Sequence, residues 1–177
     1  MSFLKELNDN LVEFIKNQKI FFVGTAANEG TVNISPKGID TFRVVSPSKI
    51  LWLNLTGSGN ETAAHLIKND RMTILFCSFD ETPLILRLYG KSKIYHTEDL
   101  EFKEFYDLFP KLPGARQIIE MEVELVQTSC GYAVPFMDFK TERNKLNKWA
   151  EDQGDELLEK YWEEKNNKSI DGFKTKK

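Results

Sequence analysis

Turn signals recur between short apolar runs through the first half of the chain, and this rhythm constrains the fold more than any other feature. Ile20 to Ala27 is apolar and partly β-branched, Asn28-Glu29-Gly30 supplies turn chemistry, and Thr31 to Ser35 resumes the alternation; together they predict a β-hairpin. Phe42 to Val45, Ser46-Pro47-Ser48 and Ile50 to Leu55 repeat the plan. Met72 to Phe79 and Leu84 to Tyr95 form two further strands around Asp80-Glu81-Thr82-Pro83, with Gly90 marking a bulge or bend. Ile118 to Val126 alternates apolar residues with Glu120, Glu122 and Glu124, as a strand with one solvated face does, and a barrel is expected to close there. Hairpins join antiparallel neighbours, so about six or seven such strands favour an antiparallel barrel over a doubly wound sheet. The expected class is mainly β, a β-barrel with added α-helices.

Helical spacing governs both ends. Phe3, Leu4, Leu7, Leu11, Phe14 and Ile15 predict an amphipathic helix over about 2–17 with Ser2 as its N-cap. Thr97 with Leu100, Phe102, Phe105, Leu108 and Phe109 predicts a capped helix ended by Pro110. A helical extension is expected over about 142–165, broken near Gly154, with Trp149, Leu158, Tyr161 and Trp162 on its apolar side. The polar tail 166–177 is expected to fray at its Lys-rich end. At 177 residues, with no linker or internal repeat, residues 1–177 suit a single domain with a full core.

Charge and cysteine usage exclude several classes. The net charge of −3, with lysines and arginines interspersed among acids, argues against a nucleic-acid partner. Lys5, Glu6, Asp9, Glu13 and Lys16 interrupt any signal-peptide core, and no later run reaches membrane-spanning length, so a cytoplasmic protein without a membrane partner is expected. Cys77, Cys130, His65 and His96 match no zinc or disulfide spacing, and no metal is expected. A nucleophilic role for Cys130 would require an activating base such as His65 or His96 in space.

The most informative stretch for chemistry is Gly57-Ser58-Gly59-Asn60-Glu61-Thr62, which precedes a short helix beginning with Ala63 and Ala64. Two glycines free the backbone to turn N–H groups inward, the hydroxyls and amide add neutral donors, and the helix N-terminus favours an anion, with phosphate the natural guest. The plainer alternative is a turn in which Asn60 caps the helix and Glu61 complements its dipole. No Lys-Ser or Lys-Thr pair follows the glycines, and Thr62 stands where a dinucleotide fingerprint needs glycine, so neither nucleotide motif fits. Glu61 would repel a phosphate and calls for a nearby cation. Lys37 is the candidate, because alternation can place Asn33, Ser35 and Lys37 on one strand face, with Pro36 making an edge or bend; its plainer reading is a solvated surface lysine.

The order of Asn33 to Lys37, then Ile50-Leu51-Trp52-Leu53-Asn54-Leu55, then the Gly57 to Thr62 loop and its helix, resembles the FMN-binding split barrel of the pyridoxamine 5′-phosphate oxidase-like family. Leu86-Arg87-Leu88-Tyr89-Gly90 resembles the following strand, and Ser129-Cys130-Gly131-Tyr132-Ala133-Val134-Pro135, Trp149-Ala150-Glu151 and Ser169-Ile170-Asp171-Gly172 resemble the later segments of one subgroup. The resemblance covers roughly residues 15 to 172 and implies an antiparallel, Greek-key-like split barrel, a homodimer, FMN as cofactor and a small-molecule redox substrate. It implies a cofactor site of Asn33, Ser35, Lys37, Asn54, Thr56, Ser58, Gly59, Asn60, Glu61 and Thr62, with Lys37 closing the flavin-contacting strand and Thr56 beginning the phosphate loop.

Asn60, Glu61 and Thr62 fall where the oxidases proper place a serine and two basic residues, so phosphate binding here would lean on N–H groups, hydroxyls and Lys37 or Arg87. The oxidases' C-terminal arginine and histidine signature for the pyridoxal substrate has no counterpart. The expected function is therefore that of an FMN-dependent oxidoreductase acting on something other than pyridoxamine phosphate. The alternative is a non-catalytic flavin-binding or stress-related module. No catalytic side chain is assigned, since the cofactor carries the redox chemistry.

Overall fold

The computed structural model describes residues 1–176. Its strands are β1 (Ser2–Leu4), β2 (Phe21–Ala26), β3 (Val32–Lys37), β4 (Phe42–Ser46), β5 (Lys49–Leu55), β6 (Arg71–Cys77), β7 (Ile85–His96) and β8 (Ala115–Ser129). The helices are α1 (Asp9–Asn17), α2 (Glu61–Lys68), α3 (Leu100–Tyr106) and α4 (Lys145–Lys165). The strands form one antiparallel sheet in the order β3-β2-β6-β7-β8-β5-β4, with β1 added against β8.

The hairpins predicted from turn chemistry are present, but the barrel does not close after Ile118 to Val126: β3 and β4 remain as sheet edges. Pro36 has no N–H for a further ladder, which suits β3 to an edge.

The main core cluster buries Val23, Ile50, Trp52, Ile74, Phe76, Leu86, Leu88, Ile119 and Met121. Phe21, Phe42, Trp52 and Phe76 meet there, with edge-on ring pairs at 5.0 Å for Phe21–Phe42 and 5.2 Å for Phe42–Phe76. Full burial of each such aromatic contributes about 1.5–3 kcal/mol. Leu51 and Leu53, on the other face of β5, pack with Phe102, Phe109 and Ile118 under α3. Both faces of β5 are thus covered, which is why Ile50 to Leu53 reads as a continuous apolar run.

Three local expectations are corrected. The N-terminal helix does not span 2–17: Ser2 to Leu4 pair with Val126 to Thr128, and α1 starts at Asp9 with Asn8 as N-cap, its side chain accepting from the Leu11 N–H at 3.0 Å. Thr97 does not cap α3; Asp99 precedes that helix and accepts from the His96 N–H at 2.7 Å. The tail is docked as far as Lys176, with Asn166, Ser169 and Thr175 buried, while Lys177 lies outside the described residues. The C-terminal helix starts at Lys145 and is interrupted at Gly154 (φ 70°), as expected. Among the described residues no helix is long and apolar enough to cross a membrane.

Candidate anion-binding site

Edge strand β3 alternates as its sequence requires. Val32 and Ile34 face outward, while Asn33, Ser35 and Lys37 are half-buried on the inner face. They meet the end of β5 and the loop into α2 around a cavity of about 290 Å³, lined by Asn33, Ser35, Lys37, Asn54, Gly57 to Thr62 and Arg116. Residues from three separated segments therefore converge, with the N-terminus of α2 among them.

Hydrogen bonds fix the neutral side chains. The Ser35 hydroxyl donates to Asn33 Oδ1 at 2.9 Å, and Asn33 Nδ2 donates to Thr62 Oγ1 at 3.4 Å. Asn54, which lines the cavity, donates its Nδ2 to the buried Gln117 Oε1 at 2.8 Å. Asn60 precedes α2 but makes no side-chain capping bond; it is buried, its Nδ2 reaches the Asn166 carbonyl at 3.5 Å, and its Oδ1 has no partner. That removes the plainer capping role for Asn60.

The cationic side holds two groups. Lys37 Nζ stands 5.0 Å from the centre of the Trp52 ring. Burial, and secondarily the nearby charge of Arg116, lowers its pKa from 10.5 to about 8. Arg116 is buried, and this lowers its own pKa to about 10. Its guanidinium donates to the Gly59 carbonyl at 3.3 Å and to Asn166 Oδ1 at 2.6 Å, and its Nε has no partner. Neither cation forms an ion pair among the described residues. The acidic residue at this cavity, Glu61, instead accepts the Ile170 backbone N–H at 3.1 and 3.2 Å.

Thr56 is the one expected site residue that does not line the cavity. It is buried behind the loop, where its hydroxyl donates to the Gly114 carbonyl at 2.8 Å and accepts from Trp162 Nε1 at 2.7 Å. Arg87 is also elsewhere, against the Ser129 hydroxyl. Cys130 follows the residue paired with Ile85 at one end of β7, whereas His96 lies at the other end and His65 is bonded to Thr25, so no histidine is placed to activate it.

Sequence reasoning missed Arg116, Gln117 and Asn166. No spacing links them to Gly57–Thr62; they arrive through the β5–β8 ladder and the folded-back tail.

The antiparallel sheet, with two cations lining one cavity at a loop–helix junction, places the chain among the split barrels, and sequence comparison narrows the class. Residues 7–130 match the family profile described as pyridoxamine 5′-phosphate oxidase. The pyridoxamine 5′-phosphate oxidase family protein ustO of Aspergillus flavus is 37% identical across 191 aligned positions, covering 97% of this chain and 76% of that protein. The chain belongs to the pyridoxamine 5′-phosphate oxidase family.

Solved structures agree at the level of fold. HupZ of Group A Streptococcus gives a TM-score of 0.55 at 17% identity, over 75% of this chain and 99% of that one. A Lactobacillus delbrueckii protein provisionally named a pyridoxamine 5′-phosphate oxidase gives 0.56 at 17%, over 70% and 95%.

Proposed function

We propose that the cavity receives the phosphate end of FMN and that the protein is an FMN-dependent oxidoreductase of this family. The observation that carries the reading is the placement of Lys37 and Arg116 on one small cavity without a carboxylate paired to either. Crowded cations of this kind are relieved by an anion, and a phosphate supplies both the charge and several acceptor oxygens. The orphaned Arg116 Nε adds a donor at the same place, and the orphaned Asn60 Oδ1 an acceptor suited to a ligand hydroxyl or a water.

The volume, about 290 Å³, lies at the lower limit of small-molecule pockets and suits the phosphate and adjoining polyol better than a whole flavin. Lys37, Arg116 and the N–H groups opening α2 would hold the phosphate, while Asn33, Ser35 and Asn54 would orient the adjoining hydroxyls. Bound FMN supplies the hydride and electron transfer. The departure from the oxidases' basic loop is met by Arg116, which enters from β8.

A homodimer completes the proposal. Val32 and Ile34 project from the edge strand and, with Phe22, Met72 and Leu75, line an apolar groove of about 570 Å³ beside the cavity-bearing strand. A second copy would cover this face by a twofold interface. The flavin-binding module without turnover remains the competing reading, since it uses the same cradle.

Titration with FMN and riboflavin tests the cradle, and anaerobic reduction by NADH or NADPH followed by reoxidation with a panel of acceptors tests turnover. Equal affinity for the two flavins would remove the phosphate assignment. Tight FMN binding without catalysed turnover would leave the carrier reading.

A further inference from the structure

Glu61 lines a cavity that Lys37 and Arg116 also line, yet among the described residues it is paired with neither. The single Ile170 N–H is shared between the two Glu61 carboxylate oxygens, at 3.2 and 3.1 Å. Ile170 is the second residue of a β-turn, Ser169 to Gly172, closed by the Gly172 N–H donating to the Ser169 carbonyl at 2.9 Å. The next turn residue, Asp171, accepts both the Thr31 N–H at 2.9 Å and the Thr31 hydroxyl at 2.7 Å. Gly30 makes this approach possible: its φ is +88°, and a Cβ there would lie 2.7 Å from Asp171 Oδ2. The turn is thereby anchored to the β2–β3 hairpin on one side and to Glu61 on the other.

We propose that the turn Ser169–Gly172 is an electrostatic clamp that gives the cavity its selectivity for a phosphomonoester, by holding the Glu61 carboxylate away from Lys37 and Arg116. The inference rests on the phosphate reading above and adds the residue that controls it. Released from Ile170, Glu61 becomes an internal competitor, since its carboxylate offers the cations and the α2 N-terminus what a phosphate would offer. Held by Ile170, it leaves those groups to the ligand. Ile170 itself is a positioning residue: its side chain is exposed and its contribution is one backbone N–H.

That N–H can be deleted with little else. Proline is favoured at the second position of a β-turn and lacks the donor, so Ile170→Pro keeps the turn and frees Glu61. In the full chain it should weaken FMN roughly tenfold, the scale of one charge-assisted hydrogen bond, and leave riboflavin unchanged. Adding Glu61→Gln should restore FMN affinity, which a merely structural role for the turn would not allow. Should Ile170→Pro fold poorly, Asp171→Ala undocks the same turn from Thr31 and is read the same way.

Unchanged FMN affinity in Ile170→Pro, or a loss that Glu61→Gln does not restore, overturns the clamp while leaving the phosphate reading standing. A parent protein that binds FMN and riboflavin equally defeats the phosphate reading and the clamp together.

Discussion

Lys37 on β3 and Arg116 on β8 line one cavity, and burial together with the Arg116 charge brings the Lys37 ammonium down to a pKa of about 8. A lysine depressed in this way is charged at neutral pH against its surroundings, and a bound phosphate would reverse that preference. FMN affinity is therefore expected to fall as pH rises above about 8, by up to tenfold per pH unit. Riboflavin affinity should stay level, because it brings no charge to the lysine. Isothermal titration across pH 7 to 9.5 would measure both; parallel curves would count against the cradle.

The same lysine predicts opposite effects on stability and binding. Its folded pKa, about 8, lies below the unfolded value of 10.5, so below pH 8 both states are charged and the full destabilisation is present. Between these values the unfolded chain holds a proton the fold has released, and this contribution to stability rises with pH. Lys37→Gln should accordingly raise the apoprotein's Tm at pH 7 by a few degrees while weakening FMN more than riboflavin. Thermal unfolding without ligand and flavin titration would give the two signs; a fall in both would make Lys37 a packing residue.

The hairpins were legible because they are local: Asn28-Glu29-Gly30 and the alternation of Asn33, Ser35 and Lys37 sit close together in the chain. The loop Gly57 to Thr62 was legible for the same reason. Arg116 was not, because only the β5–β8 register brings its strand beside Asn54. Polarity alone predicts a frayed Lys-rich end, yet the buried Thr175 hydroxyl donates to the Asn166 carbonyl and Lys176 reaches Glu98, contacts that hydropathy does not register. Ser2 to Leu4 were drawn into a helix by apolar spacing and went to the β8 ladder because strand pairing satisfies their backbone.

Gly90 offers a test of the sheet apart from any ligand. The β7–β8 register shifts at Tyr89/Gly90, and a Cβ on Gly90 would fall 1.9 Å from the Glu122 carbonyl oxygen. Backbone of a central strand pair cannot yield as a flexible side chain does, so Gly90→Ala should cost at least about 1–3 kcal/mol. Gly57→Ala, with open space around its Cβ, serves as the control and should leave the urea midpoint nearly unchanged. Equal midpoints for the two variants would show that the bulge relaxes.

The loop can be tested at Asn60 and Thr62, whose side chains are buried beside the cavity. Thr62 Oγ1 accepts from Asn33, which leaves its hydroxyl hydrogen to donate, and Asn60 Oδ1 has no partner within the protein. Each neutral hydrogen bond contributes roughly 0.5–1.5 kcal/mol, so Asn60→Ala with Thr62→Ala should weaken FMN by about 1–3 kcal/mol. Thr62 donates at the phosphate end, whereas Asn60 Oδ1 can only accept, from a ribityl hydroxyl that both flavins carry, so riboflavin should lose the Asn60 share alone. Thermal unfolding of the apoprotein separates this from a folding defect, as the Asn60 bond to the Asn166 carbonyl is long at 3.5 Å and its loss should change Tm little. Equal losses for FMN and riboflavin would mean that these side chains shape the cavity without touching the phosphate.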